Sequence, residues 1–131
     1  MHIFPFSKGF KYLKTYIFYN VNYERSVQVY ERLRKAGFSK NRAKILALLE
    51  QKPDLSLADI TLTLGISNSR ASEGLKFLMK EGYLQRMEVK YIIGKGRTKH
   101  IYRLKRKIDD IIADVKSRVA VIISYDNYIE P

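Results

Sequence analysis

The chain has 131 residues, 46% of them apolar, which suits one domain with extensions and a core of useful size. It contains no cysteine, so disulfides, thiol catalysis and cysteine-based zinc sites are excluded. Twenty-five basic residues face 13 acidic ones, a net charge of +12, and the expected partner of such a chain is a polyanion.

The charge is not evenly spread. Residues 67–104 hold nine basic and three acidic residues, and residues 1–36 hold seven and two. Residues 105–131 balance at five of each. A generally basic surface kept for solubility is the competing account. His2 and His100 are too few and too distant in sequence for a metal site. No apolar run approaches the roughly 18 residues of a membrane span. Lys8, Lys11 and Lys14 interrupt any signal-peptide core, so the expected compartment is the cytoplasm.

In chain order, residues 1–38 form an N-terminal helical extension. Phe10, Leu13 and Ile17 recur at helical spacing, beside a stripe of Tyr12, Tyr16, Tyr19 and Tyr23. Four roles fit: packing on a partner subunit, packing in the core, lying on a membrane surface, or touching nucleic acid as an arm. Core or subunit packing is the expectation, because the charged face is thin for a membrane-surface helix. A helix follows over 22–36, with Val27, Tyr30 and Leu33 or Arg34 at three-to-four spacing, stopped by Gly37.

Ser39 caps a helix from Lys40 to Gln51 whose inner stripe is Ala43, Leu46, Ala47 and Leu49, ended by Pro53 and Asp54. Ser56 and Asp59 make an N-terminal capping pair for a short helix, Leu57 to Leu64, with Ile60 and Leu64 inward. Gly65 permits the left-handed backbone of a sharp turn. Ile66 fills the angle between helices, and Ser67 caps the next one. That order of roles is the helix-turn-helix pattern.

The next helix, Asn68 to Glu81, turns Ala71, Leu75 and Leu78 inward. Ser69, Arg70, Ser72, Glu73, Lys76 and Lys80 occupy the opposite face. Short polar side chains at a helix start, followed by lysines, suit a helix whose first turns meet base edges; an ordinary solvated face is the plainer account. Gly74 costs roughly 1 kcal/mol in a helix interior relative to alanine, and is expected to admit another backbone closely.

Residues 84–93 alternate, with Met87, Val89, Tyr91 and Ile93 on one side and Arg86, Glu88 and Lys90 on the wet one. Gly94-Lys95-Gly96-Arg97 turns the chain, and residues 98–104 return as the partner strand. Lys95, Arg97, Lys99 and Arg103 crowd this hairpin, which fits contact with a narrow minor groove or a phosphate. A plain turn kept soluble by charge is the alternative. From Lys105 the pattern is helical. Ile108, Ile111, Ile112, Val115, Val119 and Ile122 recur as in a coiled-coil seam, which favours a dimer contact over packing on the chain's own domain. The run Val119–Ser124 also fits a strand.

Residues 39–104 resemble the winged-helix DNA-binding domain of prokaryotic transcription regulators, in particular archaeal regulators of the broad MarR/TrmB-like kind. The stretches that carry the likeness are GFSKNRAKILALL, LADITLTLGISNSRASEGLKFLMKEGYL and the strand pair around GKGRTKHIYRL. The wing tip differs from the Asp-x-Arg pair usual in MarR proteins. The resemblance implies a mainly α fold with a small β-hairpin, that is, an α+β winged helix-turn-helix with N- and C-terminal helical extensions. It implies double-stranded DNA as partner, with Asn68, Ser69, Arg70, Ser72, Glu73 and Lys76 at the major groove. Lys95, Arg97 and Lys99 would lie on the wing. It also implies a homodimer, here through Phe10, Leu13, Ile17, Ile108, Ile111, Ile112, Val115 and Val119 in the segments 1–38 and 105–131. No cofactor is implied.

The expected function is therefore sequence-specific transcription regulation. A winged helix that binds an acidic protein, or an RNA-binding module that stacks bases on the aromatic N-terminus, are the competing classes. An enzyme is not expected: no Ser/His/Asp set or metal cluster is present, and Asp109 and Asp110, adjacent on a helix, do not face one another.

Overall fold

The computed structural model describes residues 22–90 and 98–129. Five helices and a two-stranded antiparallel hairpin are found among them: α1 (Tyr23–Lys35), α2 (Lys40–Gln51), α3 (Leu57–Leu64), α4 (Asn68–Lys80), β1 (Leu84–Lys90), β2 (Thr98–Leu104) and α5 (Ile108–Ile129). The expected stripe of Phe10, Leu13 and Ile17 lies outside the described residues, as does the wing tip with Lys95 and Arg97.

Each of the first four helices starts on a short polar side chain that accepts an otherwise orphaned backbone N–H. Asn22 accepts from Arg25, Ser39 from Arg42, and Ser67 from Arg70. At α3 the capping box is complete, with the Asp59 backbone donating to Ser56 Oγ at 3.2 Å and the Ser56 backbone donating to Asp59 Oδ2 at 3.1 Å. α3 ends at Gly65, whose φ of 67° and ψ of 34° lie where a side chain would clash with its own backbone. The turn to α4 therefore takes only two more residues, Ile66 and Ser67, with Ile66 half-buried against the core.

α2 is the centre of the molecule. Ala43, Ile45, Leu46, Ala47, Leu48 and Leu49 are all buried, because α1, α3, α4 and β2 surround the helix. A single stripe of Ala43, Leu46, Ala47 and Leu49 therefore understates its role: Ile45 and Leu48 are equally enclosed. α1 turns Ser26, Val29 and Leu33 inward, not Val27. The polar Ser26 is admitted because its hydroxyl accepts from Gln51 Nε2, which also donates to the Asn22 carbonyl at 2.8 Å. Polar groups buried in partnership cost little, whereas an unpaired one costs about 1–3 kcal/mol.

Gly74 is a close-approach position, but its neighbour is not a backbone. A Cβ there would lie 2.8 Å from Ile45 Cδ1, so the missing side chain lets α4 settle on the fully buried Ile45 of α2. Beyond α4, Tyr83 packs edge-on against Phe38, their ring centroids 6.1 Å apart. The hairpin then pairs Leu84 with Leu104 at its root and Lys90 with Thr98 at its far described end. A single bridge adds Leu55 to the outer side of β2, where Tyr102 N–H donates to the Leu55 carbonyl at 2.9 Å.

Of the face that the alternation sets apart, Tyr91 and Ile93 lie outside the described residues, and the described part is not dry. Met87 and Val89 are 38% and 41% exposed; the buried side at the sheet's root is the other one, with Leu84 and Tyr102. β1 leaves the body after its first residue, so neither face of its outer part is covered. Arg103 is also not one of four available wing cations, since Asp54 accepts from its Nε at 2.7 Å and its Nη2 at 2.9 Å.

Ile108, Ile111 and Ile112 of α5 are buried in the same core as α1 and α2, which corrects their expected place in a subunit interface. Val115 is partly buried against that core, whereas Val119 is 47% exposed. The helix is continuous through this change and the alternative strand does not form. The whole is mainly α with a small β-hairpin, the architecture of a winged helix-turn-helix.

Candidate nucleic-acid interface

α4 is held by one face and presents the other. Ala71, Gly74, Leu75 and Leu78 are buried against α2 and α3. The side chains left outside are those expected from a helix with 3.6 residues per turn: Asn68, Ser69, Arg70, Glu73, Lys76 and Lys80 are exposed, and Ser72 is half-buried. A shallow groove of about 530 Å³ runs along this face, lined by Ser69, Ser72, Glu73, Lys76, Phe77 and Lys80.

The candidates of α4 thus come together on one surface, with one qualification. Glu73 is engaged: its carboxylate accepts from Arg42 Nη2, across from α2. The guanidinium of Arg42 lies 3.6 Å from the centroid of the Phe77 ring, an arrangement that favours a cation over a π face. Lys99 is half-buried on β2, opposite Val89. The other two wing candidates, Lys95 and Arg97, belong to the tip outside the described residues.

Two cations of the site are not among the residues that the sequence singles out for DNA. Lys80 belongs to the groove; the sequence places it on the outward face but not among the DNA contacts, since a lysine at the C-terminal end of α4 also suits the helix dipole. Arg42 comes from a different helix, and no periodicity within α4 could point to it. A hint does exist. The first turn of α2 contains no acidic residue but has Lys40 and Arg42, charges that a helix N-terminus disfavours. Burial, and then the Lys40 ammonium, also push the Lys44 ammonium one turn later below its usual range.

On the far side of α4 a polar clasp fixes α5. Tyr83 Oη donates to Asp114 Oδ2 at 2.6 Å, and Arg118 donates to Glu81 at 3.1 Å and pairs with Asp114 at 3.0 Å. The Tyr83 hydrogen bond, with the Arg118 and Arg106 charges, holds the Asp114 carboxyl below the usual carboxylate range. Burial, and then the bond to Asp114, push the Tyr83 phenol up to about 12. The C-terminal end of the exposed helix is in this way tied to the root of the projecting one.

Fold and surface together have the form of a winged helix-turn-helix. Residues 38–85 match the winged helix-turn-helix DNA-binding family, a span that runs from Phe38 before α2 to the second residue of β1. Comparison with curated proteins gives no match. Among the described residues no group of three His, Cys, Asp or Glu side chains could hold a metal ion, and no helix is long and apolar enough to cross a membrane.

Proposed function

We propose that this protein is a homodimeric, sequence-specific transcription regulator of the broad MarR/TrmB-like kind, acting on double-stranded DNA in the cytoplasm. The observation that carries the reading is the face of α4: a rigidly seated helix, second in its helix-turn-helix, with serines and cations outward. In this reading residues 39–104 bind DNA. Ser69, Arg70, Ser72 and Lys76 meet base edges in the major groove, where short polar side chains and arginine discriminate base pairs. Wing residues Lys95, Arg97 and Lys99 meet backbone or minor groove, so affinity comes from phosphates and specificity from α4.

Residues 105–131 supply the dimer contact. Support comes from the outer part of α5, where Val119, Val121, Ile122 and Ile123 are all roughly half-exposed or more, a run of β-branched side chains that a second copy would cover. Two-fold symmetry then sets half-sites about 34 Å apart, one helical turn of DNA.

The test is duplex binding as a function of salt. Six or so phosphate contacts lose on the order of 10³ in affinity between 50 and 200 mM salt. A flat response, or no binding to random duplex at low salt, would overturn the reading. Given DNA binding, Arg70→Ala is expected to relax preference at particular base positions, measured by selection from a random duplex pool. Arg97→Ala is expected to weaken all sequences alike.

A further inference from the structure

At the edge of the α4 face stands a cation that another helix delivers. The Arg42 side chain crosses from the first turn of α2, stacks on Phe77 and reaches Glu73. Its guanidinium is held over the Phe77 ring, and its Nε is buried with no hydrogen-bond partner among the described residues. The side chain as a whole is only 27% exposed, against 57% for Glu73. One partner is held and the other is wet.

That asymmetry decides which member can change partner. An ion pair with so exposed a carboxylate contributes little. Glu73 is met through Nη2 alone, whereas a phosphate can engage arginine through two nitrogens, and the α2 N-terminus, which carries uncompensated positive charge, gains from an anion. Glu73 is the one acidic side chain among the described residues that line the groove. Next to DNA its charge is unfavourable beside phosphates and favourable only where it can accept from a cytosine amino group.

We propose that Arg42 is a backbone-phosphate ligand and that Glu73 is its competitor, surrendering the guanidinium when a duplex is seated. Arg42 stays on Phe77 throughout and only its outer contact is exchanged. Glu73 thereby lowers affinity for arbitrary duplex and recovers the loss where the bases offer it a donor. This rests on the reading of α4 as the DNA-facing helix.

The experiment is a salt titration of duplex binding by the full chain, with random duplex and with a selected sequence. Arg42→Met is expected to weaken both duplexes roughly tenfold and to make the log–log salt slope shallower by about 0.9, one phosphate contact. Arg42→Lys keeps most of the slope, which a role confined to packing would not require. Glu73→Gln is expected to tighten random duplex by about two- to fivefold and to narrow the ratio between selected and random sequence. That gain shrinks when Arg42 is replaced by methionine. An unchanged slope in Arg42→Met, or no gain in Glu73→Gln, overturns the proposal. If Arg42→Met lowers the melting temperature, Arg42→Lys and Glu73→Gln decide instead: loss of the slope in the first, or absence of the gain in the second, overturns it equally. Lys76→Ala and Lys80→Ala separate the two levels. If they flatten the slope while the Arg42 variants do not, only this inference fails; if none does, the reading of α4 fails as well.

Discussion

The two halves of α5 carry the same kind of side chain at the same three-to-four spacing, yet they meet different surroundings. Ile108, Ile111 and Ile112 are 3%, 0% and 5% exposed, whereas Val119, Ile122 and Ile123 are 47%, 60% and 55% exposed. Val115 marks the boundary. The helix is 22 residues long, about 33 Å at 1.5 Å per residue, and the body of the domain covers only its first turns. One apolar stripe thus meets two environments, and its periodicity is blind to the division. What separates them is the length of the helix measured against the width of the core it starts from.

The largest effect is expected where the stripe is covered by its own domain. Ile111→Ala removes a fully buried side chain and should cost about 2–5 kcal/mol in denaturant unfolding. A loss well under that range would mean that the first turns of α5 are not part of the core.

A smaller effect belongs to the clasp between the halves. Tyr83→Phe removes the donor to Asp114 and should change how stability varies with pH. The Tyr83 phenol is raised from 10.0 to about 12, so its contribution is fully present below pH 10 and lost as pH rises through 12. The Asp114 carboxyl is lowered, chiefly by the Tyr83 bond, so its contribution is present above the ordinary carboxylate range and lost as pH falls through the folded value. Melting temperatures across both limbs should show the alkaline loss diminished and the acid limb shallower in Tyr83→Phe. Identical profiles for the two proteins would mean that the clasp contributes nothing to holding α5.

The smallest effect on the fold is expected at Ile122. At protein concentrations low enough for both proteins to be monomeric, Ile122→Lys on an exposed turn should change unfolding stability by no more than about 0.5 kcal/mol, while sedimentation at higher concentration should show a proposed dimer replaced by monomer. A stability loss comparable to that of Ile111→Ala would erase the contrast, and an unchanged dimer would place the interface elsewhere.

Much of the fold is legible in the chain because its signals are local. Ser39, Ser56 with Asp59, and Ser67 announce helix starts through bonds spanning three residues, and Gly65 announces the turn through its own backbone. The outward set on α4 follows from helical geometry once Ala71, Leu75 and Leu78 are placed inside. Where a contact joins distant segments, the local signal fails. Arg103 reads as a wing cation, but its partner Asp54 lies 49 positions away in the chain. Glu73 reads as available to DNA, and its partner Arg42 is 31 positions away. The alternation of β1 distinguishes two faces but contains nothing about whether either is covered, which depends on how far the hairpin extends past the body.

By itself, then, the sequence determined the helices of the motif, the turn between them, and the polar side of α4, since capping, periodicity and left-handed glycine act within a few residues. Tertiary structure alone decided that α2 is enclosed on all sides, that Ile108 through Ile112 belong inside while Val119 and Ile122 do not, and that Arg42 reaches the exposed face of α4. Those outcomes depend on which elements pack across long separations in the chain, and burial is a property of the neighbours rather than of the residue.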